Sequence, residues 1–215
     1  MALRLKSTYC FAIILAVLFF TPTVNAETAV PTKLSEKDRA DIVRIERYLN
    51  DLKTLQARFL QISTKGGVAE GKVYLSRPGK LRFEYDPPTP ILIVSSGLVV
   101  TYYDRELEQV SEVFLRTTPI SFLVREKVAL SGDVTVTGFE RRRGLIRVTL
   151  TKTDDPEQGS ITLVFTDRPF ELRQWVVVDP QSVATTITLN KMRTGLRLDP
   201  KLFKFIAPKR DDSIE

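Results

Sequence analysis

Three short runs of alternating apolar and polar residues lie in the segment from 71 to 109 and are separated by turn-forming residues. Side chains on a strand point to opposite faces in turn, so this alternation predicts strands with one apolar face. Arg77 lies in phase with that face, just before Pro78-Gly79. The face itself consists of Val73, Leu75, Leu81, Phe83 and Tyr85. An apolar sheet face with one guanidinium at its edge indicates a lipid pocket with a latch rather than a catalytic site.

Strand-like runs at short spacing continue almost to the end of the chain, which predicts a single antiparallel meander. The predicted strands cover residues 56–64, 72–77, 81–85, 91–95, 98–103, 107–114, 134–139, 145–152, 160–165, 172–178 and 185–191. The expected fold class is therefore mainly β, as a single antiparallel open (incomplete) β-barrel.

Two predicted helices carry apolar stripes that need an apolar partner. Ser35 and Asp38 resemble a capping box, which predicts a helix over 36–54. Its stripe, at steps of three and four residues, is formed by Ile42, Ile45, Leu49, Leu52 and Leu55. A short helix is predicted after Thr118, with Pro119 at its first position and with Ile120, Leu123 and Val124 on its apolar side. Both helices are expected to form a lid over a hydrophobic cavity.

The first 26 residues predict export. A basic start at Arg4 and Lys6, an apolar run over 9–20 and the small-residue sequence Val24-Asn25-Ala26 are typical of a cleavable signal peptide. A membrane anchor is the alternative, but the run is shorter than the ~20 residues that span a bilayer. We therefore expect a signal peptide over 1–26 and a single exported domain over 27–215.

Composition excludes several enzyme classes. The chain has no histidine, and its single cysteine, Cys10, leaves with the signal peptide. The mature chain would then lack a Ser-His or Cys-His pair, a disulfide and an ordinary zinc site, so no enzyme activity, cofactor or metal is expected. A carboxylate-based hydrolase remains an alternative, because Asp154, Asp155 and Glu157 form an acidic cluster. A hairpin loop is the simpler interpretation of that cluster.

The charge pattern does not indicate a nucleic-acid partner. Net charge is +6, and it falls to +4 when Arg4 and Lys6 leave. Charges are interspersed except at Arg141-Arg142-Arg143, which precede Gly144 and predict a solvated hairpin tip. The chain has no basic helix and no aromatic RNA-binding motif. The segments before residue 35 and after residue 208 are expected to be mobile.

An ordered set of short sequences between residues 36 and 208 points to a known family. The set comprises Phe59 with Gln61, Gly71, the run SRPGKLRF at 76–83, IVSSG at 93–97, Tyr103-Asp104, LEQV at 107–110, residues 119–123, and KLFKF at 201–205 with Pro208. Together these resemble the LolA family of periplasmic outer-membrane lipoprotein carriers. Ser96 stands where the family usually has Asp, and residues 100–102 lack its frequent Trp.

The resemblance implies a fold, a function and partners. Family members are unclosed antiparallel barrels whose helices form a lid. They take lipid-modified proteins from an inner-membrane ABC transporter and pass their acyl chains to an outer-membrane acceptor. The chain is thus expected to be a monomeric periplasmic chaperone that delivers lipoproteins to a LolB-like acceptor or to the outer membrane directly.

The resemblance also implies roles for particular residues. Arg77 matches the arginine of the family's Arg-Pro motif, which holds the lid by bonding to its backbone. Residues 119–123 match the lid helix, and residues 201–205 match a closing strand. The predicted cavity lining is Phe59, Val73, Leu75, Leu81, Phe83, Ile93, Val100, Ile120 and Leu123. A carrier or sensor of another lipid, such as a phospholipid or glycolipid, remains an alternative on the same fold.

Overall fold

The computed structural model describes residues 28–206. The predicted signal peptide and Pro208 lie outside these residues. No helix within the described part of the chain is both long enough and apolar enough to cross a membrane.

Eleven strands form one antiparallel sheet in the described residues. They are β1 (Thr54–Ser63), β2 (Val68–Ser76), β3 (Lys80–Tyr85), β4 (Ile91–Ser96), β5 (Val99–Asp104), β6 (Gln109–Phe114), β7 (Val134–Arg142), β8 (Leu145–Lys152), β9 (Ser160–Thr166), β10 (Glu171–Val178) and β11 (Ala184–Thr194). Their order in the sheet is β6-β5-β4-β3-β2-β1-β11-β10-β9-β8-β7. Strands β6 and β7 are the two edges, so the sheet stays open, and the predicted fold class is confirmed.

The sheet is strongly curved. Four strand spacings separate β3 from β10, which is roughly 19 Å in a flat sheet. The rings of Phe83 on β3 and Trp175 on β10 nevertheless lie edge to face with their centroids 6.3 Å apart. Side chains this far apart in sheet order can meet only if the two halves of the sheet curl towards each other. The face that carries Phe83 and Trp175 is therefore concave.

Helix α1 (Glu36–Asp51) packs its apolar stripe into this concave face. The predicted capping box is present: the Ser35 hydroxyl accepts from the Asp38 backbone N–H, and the Asp38 carboxylate accepts from the Ser35 N–H. Ile45 and Leu49 are fully buried. The helix ends at residue 51 rather than at the predicted 54, because Thr54 already pairs with Ser76 of β2. Leu55, predicted on the stripe of the helix, pairs with Thr194 of β11 and belongs to β1.

Helix α2 (Ser121–Val124) is shorter than predicted. A 3₁₀ turn, Leu115–Thr117, precedes it. The side chain of Thr118 donates to the carbonyl oxygen of Leu115 at 2.7 Å instead of capping α2, and Pro119 lies before the helix. The three residues that α2 buries are Phe122, Leu123 and Val124.

Two predicted strands need correction. Residues 201–205 do not form a closing strand: Pro200–Phe203 is a 3₁₀ turn, because the Asp199 carboxylate accepts from the Lys201 N–H at 2.8 Å and caps it. Phe205 then packs on the convex face against Tyr103, with ring centroids 5.4 Å apart. The strand predicted at 107–114 starts only at 109, because Asp104 accepts from the N–H groups of residues 106 and 107 and holds them in a turn.

The segment before α1 is fixed at two points, so the expectation that it is mobile is wrong for residues 29–32. The N–H of Ala29 donates to the carbonyl of Thr153 at 3.0 Å, and the N–H of Thr32 donates to that of Val136 at 2.9 Å. Both partners belong to the β7–β8 hairpin or its end, so the chain approaches α1 along this side of the sheet.

Gly71 supplies a testable packing constraint at the centre of the concave face. A Cβ at this position would lie 2.2 Å from the Glu84 carbonyl oxygen and 2.7 Å from the Phe59 ring. We expect Gly71→Ala to lower the free energy of unfolding by about 2–3 kcal/mol, because neither neighbour is free to move. Urea unfolding measures this change. In the matched control, Gly195→Asn, the new Cβ meets open space and asparagine tolerates the positive φ of 68°; equal losses in the two variants would contradict this account.

Candidate functional site

The predicted cavity residues gather on the concave face in one apolar cluster. Seven of the nine are buried core residues, and the other two, Ile93 and Ile120, are half-buried and pack against them. The seven are Phe59, Val73, Leu75, Leu81, Phe83, Val100 and Leu123. The concave face is thus filled by side chains in this conformation, with α1 and α2 packed over it.

Aromatic rings form the floor of this face. The Phe59 ring lies edge to face with the rings of Phe83 and Tyr85, at centroid distances of 5.2 and 5.1 Å. Tyr85 donates from its hydroxyl to Gln61 Oε1 at 2.6 Å, and burial raises the pKa of Tyr85 to about 12. Tyr85 is therefore neutral at physiological pH. Trp175, within the strand predicted at 172–178, lies on the same floor and is 2% exposed.

Arg77 connects both helices to the sheet. It follows the last residue of β2, and its Nε donates to the carbonyl oxygen of Leu123 in α2 at 2.8 Å. Its Nη1 donates to the carbonyl oxygen of Leu49 in the last turn of α1. Carbonyls at a helix end have no partner within the helix and carry partial negative charge. One cation therefore holds the C-terminal end of α1 and a carbonyl of α2 at the same time.

The environment of Arg77 disfavours its charge. Burial lowers the pKa of the Arg77 guanidinium to about 10, which still leaves it charged at neutral pH. Its Nη2 has no hydrogen-bond partner within residues 28–206. A desolvated cation with one unsatisfied donor regains hydration when it is released. The bonds of Arg77 thus fix the position of the two helices, and they are reversible because hydration of the released guanidinium offsets their loss.

Two side chains of α1 bind the segment that follows α2, and sequence reasoning missed both. Asn50 donates from Nδ2 to the Val128 carbonyl at 2.8 Å and accepts from the Val128 N–H at 2.9 Å. Glu46 accepts from the Leu130 N–H at 2.7 Å. Glu46 and Asn50 are four residues apart and so share one face of α1. These bonds join α1 and the α2 segment into one cover over the sheet.

The other half of α1 is held by an ionic cluster that was also missed. Asp41 is 6% exposed and pairs with Arg141 on β7. Arg44 pairs with Asp167, which follows β9, at 2.7 Å. Arg141 lies 3.6 Å from the second oxygen of Asp167. Arg141 is therefore not part of a solvated tip, although Arg142 is, with 76% of its side chain exposed.

An open cleft of about 820 Å³ lies beside α2. Its walls differ in chemistry. One wall is mainly apolar and includes Pro78, Leu98, Phe114, Leu115 and Val124. The other is charged and includes Arg125, Asp133, Lys152, Asp154 and Asp155. Leu98 and Phe114 are 82% and 58% exposed, so they add apolar surface to this wall.

The acidic loop that could have served a hydrolase is part of this charged wall. Lys152 donates to Gln158 at 2.5 Å, and Gln158 donates to Asp155. These bonds stabilise the turn Pro156–Gln158 between β8 and β9. Within residues 28–206, no group of three or more His, Cys, Asp and Glu side chains is placed to hold a metal ion.

Comparison with known proteins identifies the family. Residues 50–206 match the family described as outer membrane lipoprotein carrier protein LolA. The chain belongs to the LolA family. An outer-membrane lipoprotein carrier protein of Methylococcus capsulatus is 32% identical over 182 residues, which cover 80% of this chain and 86% of that protein. A protein of the same name from Pseudomonas paraeruginosa is 30% identical over 88% of this chain and 95% of its own length.

Asp167 gives this LolA-type protein a predictable response to acid. The hydrogen bond from Arg44 lowers the pKa of Asp167 below its ordinary value of 3.8. A carboxyl group whose pKa is lower in the folded state stabilises the fold above its unfolded pKa, and this contribution is lost as pH falls through the folded pKa. We therefore expect Asp167→Asn to lower the free energy of unfolding at pH 7, and the difference from the parent protein to shrink below about pH 3.8. Urea unfolding at pH 7 and pH 3 measures both; a difference of the same size at the two values would contradict the assignment.

Proposed function

We propose that this protein is a periplasmic chaperone that carries the acyl chains of lipoproteins on its concave apolar face. Helices α1 and α2 form the lid, and Arg77 is the latch that holds it. Acyl chains displace the lid and take its place on the aromatic floor. The lining in the loaded state is the predicted set that includes Phe59, Phe83 and Leu81.

The bonding of Arg77 is the observation that carries this proposal. A residue at the edge of an apolar sheet face donates to carbonyls of both covering helices. Apolar contacts alone would keep α1 and α2 on the sheet, but they are non-directional and would not fix one docked position. It is what a cover requires if it must close in one position and also open. The membership of the LolA family supports the same reading.

The energies of the empty and loaded states are comparable, as a carrier requires. Burying a large apolar side chain contributes about 1.5–3 kcal/mol, so five buried lid residues contribute on the order of 10 kcal/mol to closure. These residues are Ile45, Leu49, Phe122, Leu123 and Val124. An acyl chain of about 16 carbons gains about 12 kcal/mol when it leaves water, at ~0.8 kcal/mol per methylene. One chain thus offsets lid displacement, and further chains make loading favourable.

Location and partners follow from the same proposal. The signal peptide predicted over 1–26 would deliver the chain to the periplasm. There it would receive lipoproteins from an inner-membrane ABC transporter and pass them to a LolB-like acceptor or directly to the outer membrane. Relatives at about 30% identity that are named outer-membrane lipoprotein carriers support the carriage of lipoproteins.

Loading is tested by placing a negative charge on the concave face. Phe83→Glu, and Ile93→Glu at a half-buried position, should abolish binding of a triacylated lipopeptide, because a carboxylate among acyl chains has no partner. Lys72→Glu is the matched control, since Lys72 is exposed on the convex face of β2. Binding and thermal unfolding are measured together. Both concave variants could prove less stable than the parent while their remaining folded fraction still binds lipopeptide. That result would show that these side chains are ordinary core residues and do not line the lipid site.

Release is tested at the latch. Arg77→Leu should load lipoprotein normally and pass it to acceptor membranes poorly, because the closed state that expels the chains has lost its bonds to Leu49 and Leu123. Arg82→Leu, on the opposite face of the sheet, is the control. Transfer from loaded protein to vesicles that contain acceptor is measured over time. Normal hand-over by Arg77→Leu would remove the latch role.

The kind of lipid is tested separately. Mass spectrometry of whatever co-purifies with the exported protein should find triacylated lipoproteins, and Phe83→Glu should lose them. Recovery of free phospholipid or glycolipid alone would leave the site in place but assign it to another lipid.

A further inference from the structure

We infer that Asp41 and Arg141 form a second latch, which holds the N-terminal half of α1 and sets how readily this helix lifts. The interpretation of helix lifting as lid opening rests on the proposed function. The lifting of α1 itself does not depend on it. Arg77 holds α1 by the carbonyl of Leu49, near its C-terminal end. Asp41 lies two helical turns earlier and pairs with β7, at the far edge of the sheet. The two contacts therefore hold the helix at separate points.

The position of Asp41 is unusual. It lies four and eight residues before Ile45 and Leu49, so it is on the apolar stripe of α1 rather than on the polar face. Only 9% of its side chain is exposed. An acidic side chain in such a place is stable only with a partner, and Arg141 supplies it. Asp167 already has Arg44 as a partner, so loss of Arg141 leaves the carboxylate of Asp41 as the uncompensated group.

A buried ion pair makes a different kind of contact from the apolar residues around it. Replacing such a pair with apolar side chains is often neutral or stabilising, so maximal stability does not explain its presence. When α1 lifts, the carboxylate and the guanidinium both return to water and recover their hydration. When apolar side chains are lifted, in contrast, their exposure to water raises the free energy of the protein. The pair therefore specifies where α1 docks while keeping undocking inexpensive.

This account predicts opposite effects for single and double substitutions. Arg141→Leu leaves a buried, unpaired carboxylate and should shift α1 towards the lifted state. Asp41→Leu/Arg141→Leu removes both charges and fills the site with apolar atoms, so it should hold α1 at least as firmly as the parent. A pair that contributed only to global stability would lower the free energy of unfolding in Arg141→Leu and would leave the docking of α1 unchanged in the folded protein of both variants.

Thiol labelling measures the lift in the absence of any lipid. Ile45→Cys, in a Cys10→Ser background, places the chain's one thiol on the buried side of α1. We expect a maleimide to label it at least tenfold faster in Arg141→Leu than in the parent, and no faster than the parent in Asp41→Leu/Arg141→Leu. Arg142→Leu is the matched control, because Arg142 is exposed and pairs only with Glu140 among the described residues. It should label at the parent rate.

A second thiol separates lifting from unfolding. Val94→Cys is buried on the convex face, in the cluster with Tyr103 and Phe205, away from the lid. It should stay protected in Arg141→Leu if only α1 lifts. Fast labelling at both positions, parent-like labelling at Ile45→Cys, or equally fast labelling of the single and double variants would each overturn the second latch. None of these results depends on cargo, whereas failure of the carrier function shows itself as absent lipopeptide binding with Arg141→Leu still labelled quickly.

Discussion

The rest of the structure depends on the contact between one guanidinium and two helix carbonyls. Arg77 lies at the edge of an apolar sheet face, and its hydrogen bonds reach α1 and α2 together. The N–H of Gly79 adds a bond to the Val124 carbonyl at 2.7 Å, from the same turn. The β2–β3 turn therefore bonds to both helices directly, although neither helix is adjacent to it in the sequence.

The contact of Arg77 with the helices matters because the sheet is curved and its inner face needs a cover. An open sheet of eleven strands that curls far enough for Phe83 and Trp175 to meet has an inner face too apolar to be left in water. The helices cover it with side chains whose burial is worth about as much as one acyl chain. Under the proposed carrier function, a cover that bound much more tightly would exclude cargo, and a weaker one would leave the face exposed. Polar contacts such as those of Arg77 and Asn50 make the closed position specific without adding greatly to its stability.

The parts of the structure that depend on local patterns were predictable from the sequence. Period-two alternation located the strands, and it placed Arg77 on the same face as Val73 because that phase is a property of neighbouring residues. The capping box at Ser35 also follows from local chemistry. The closing strand predicted at 201–205 failed for a local reason, since Asp199-Pro200 starts a 3₁₀ turn.

Contacts between distant elements could not be predicted in the same way. Arg77 binds backbone carbonyls, which have no local signature in the sequence, so only the family resemblance pointed to this contact. Asp41 and Arg141 are 100 residues apart, and the arginine triplet alone predicts only a solvated tip. The sequence did contain one signal, however. An aspartate on the apolar stripe of α1 is expected to be buried, and a buried carboxylate requires a paired cation.

Trp175 offers the most direct test of the central claim, that acyl chains occupy the concave face. It is the chain's single tryptophan, it is 2% exposed, and it lies on the floor beside Phe83. A triacylated lipopeptide with bromine on its acyl chains quenches tryptophan only at contact distance. The account predicts strong quenching of Trp175 by the brominated lipopeptide and none by its unbrominated form. Saturable binding of the brominated lipopeptide without quenching would place the acyl chains elsewhere and contradict the account.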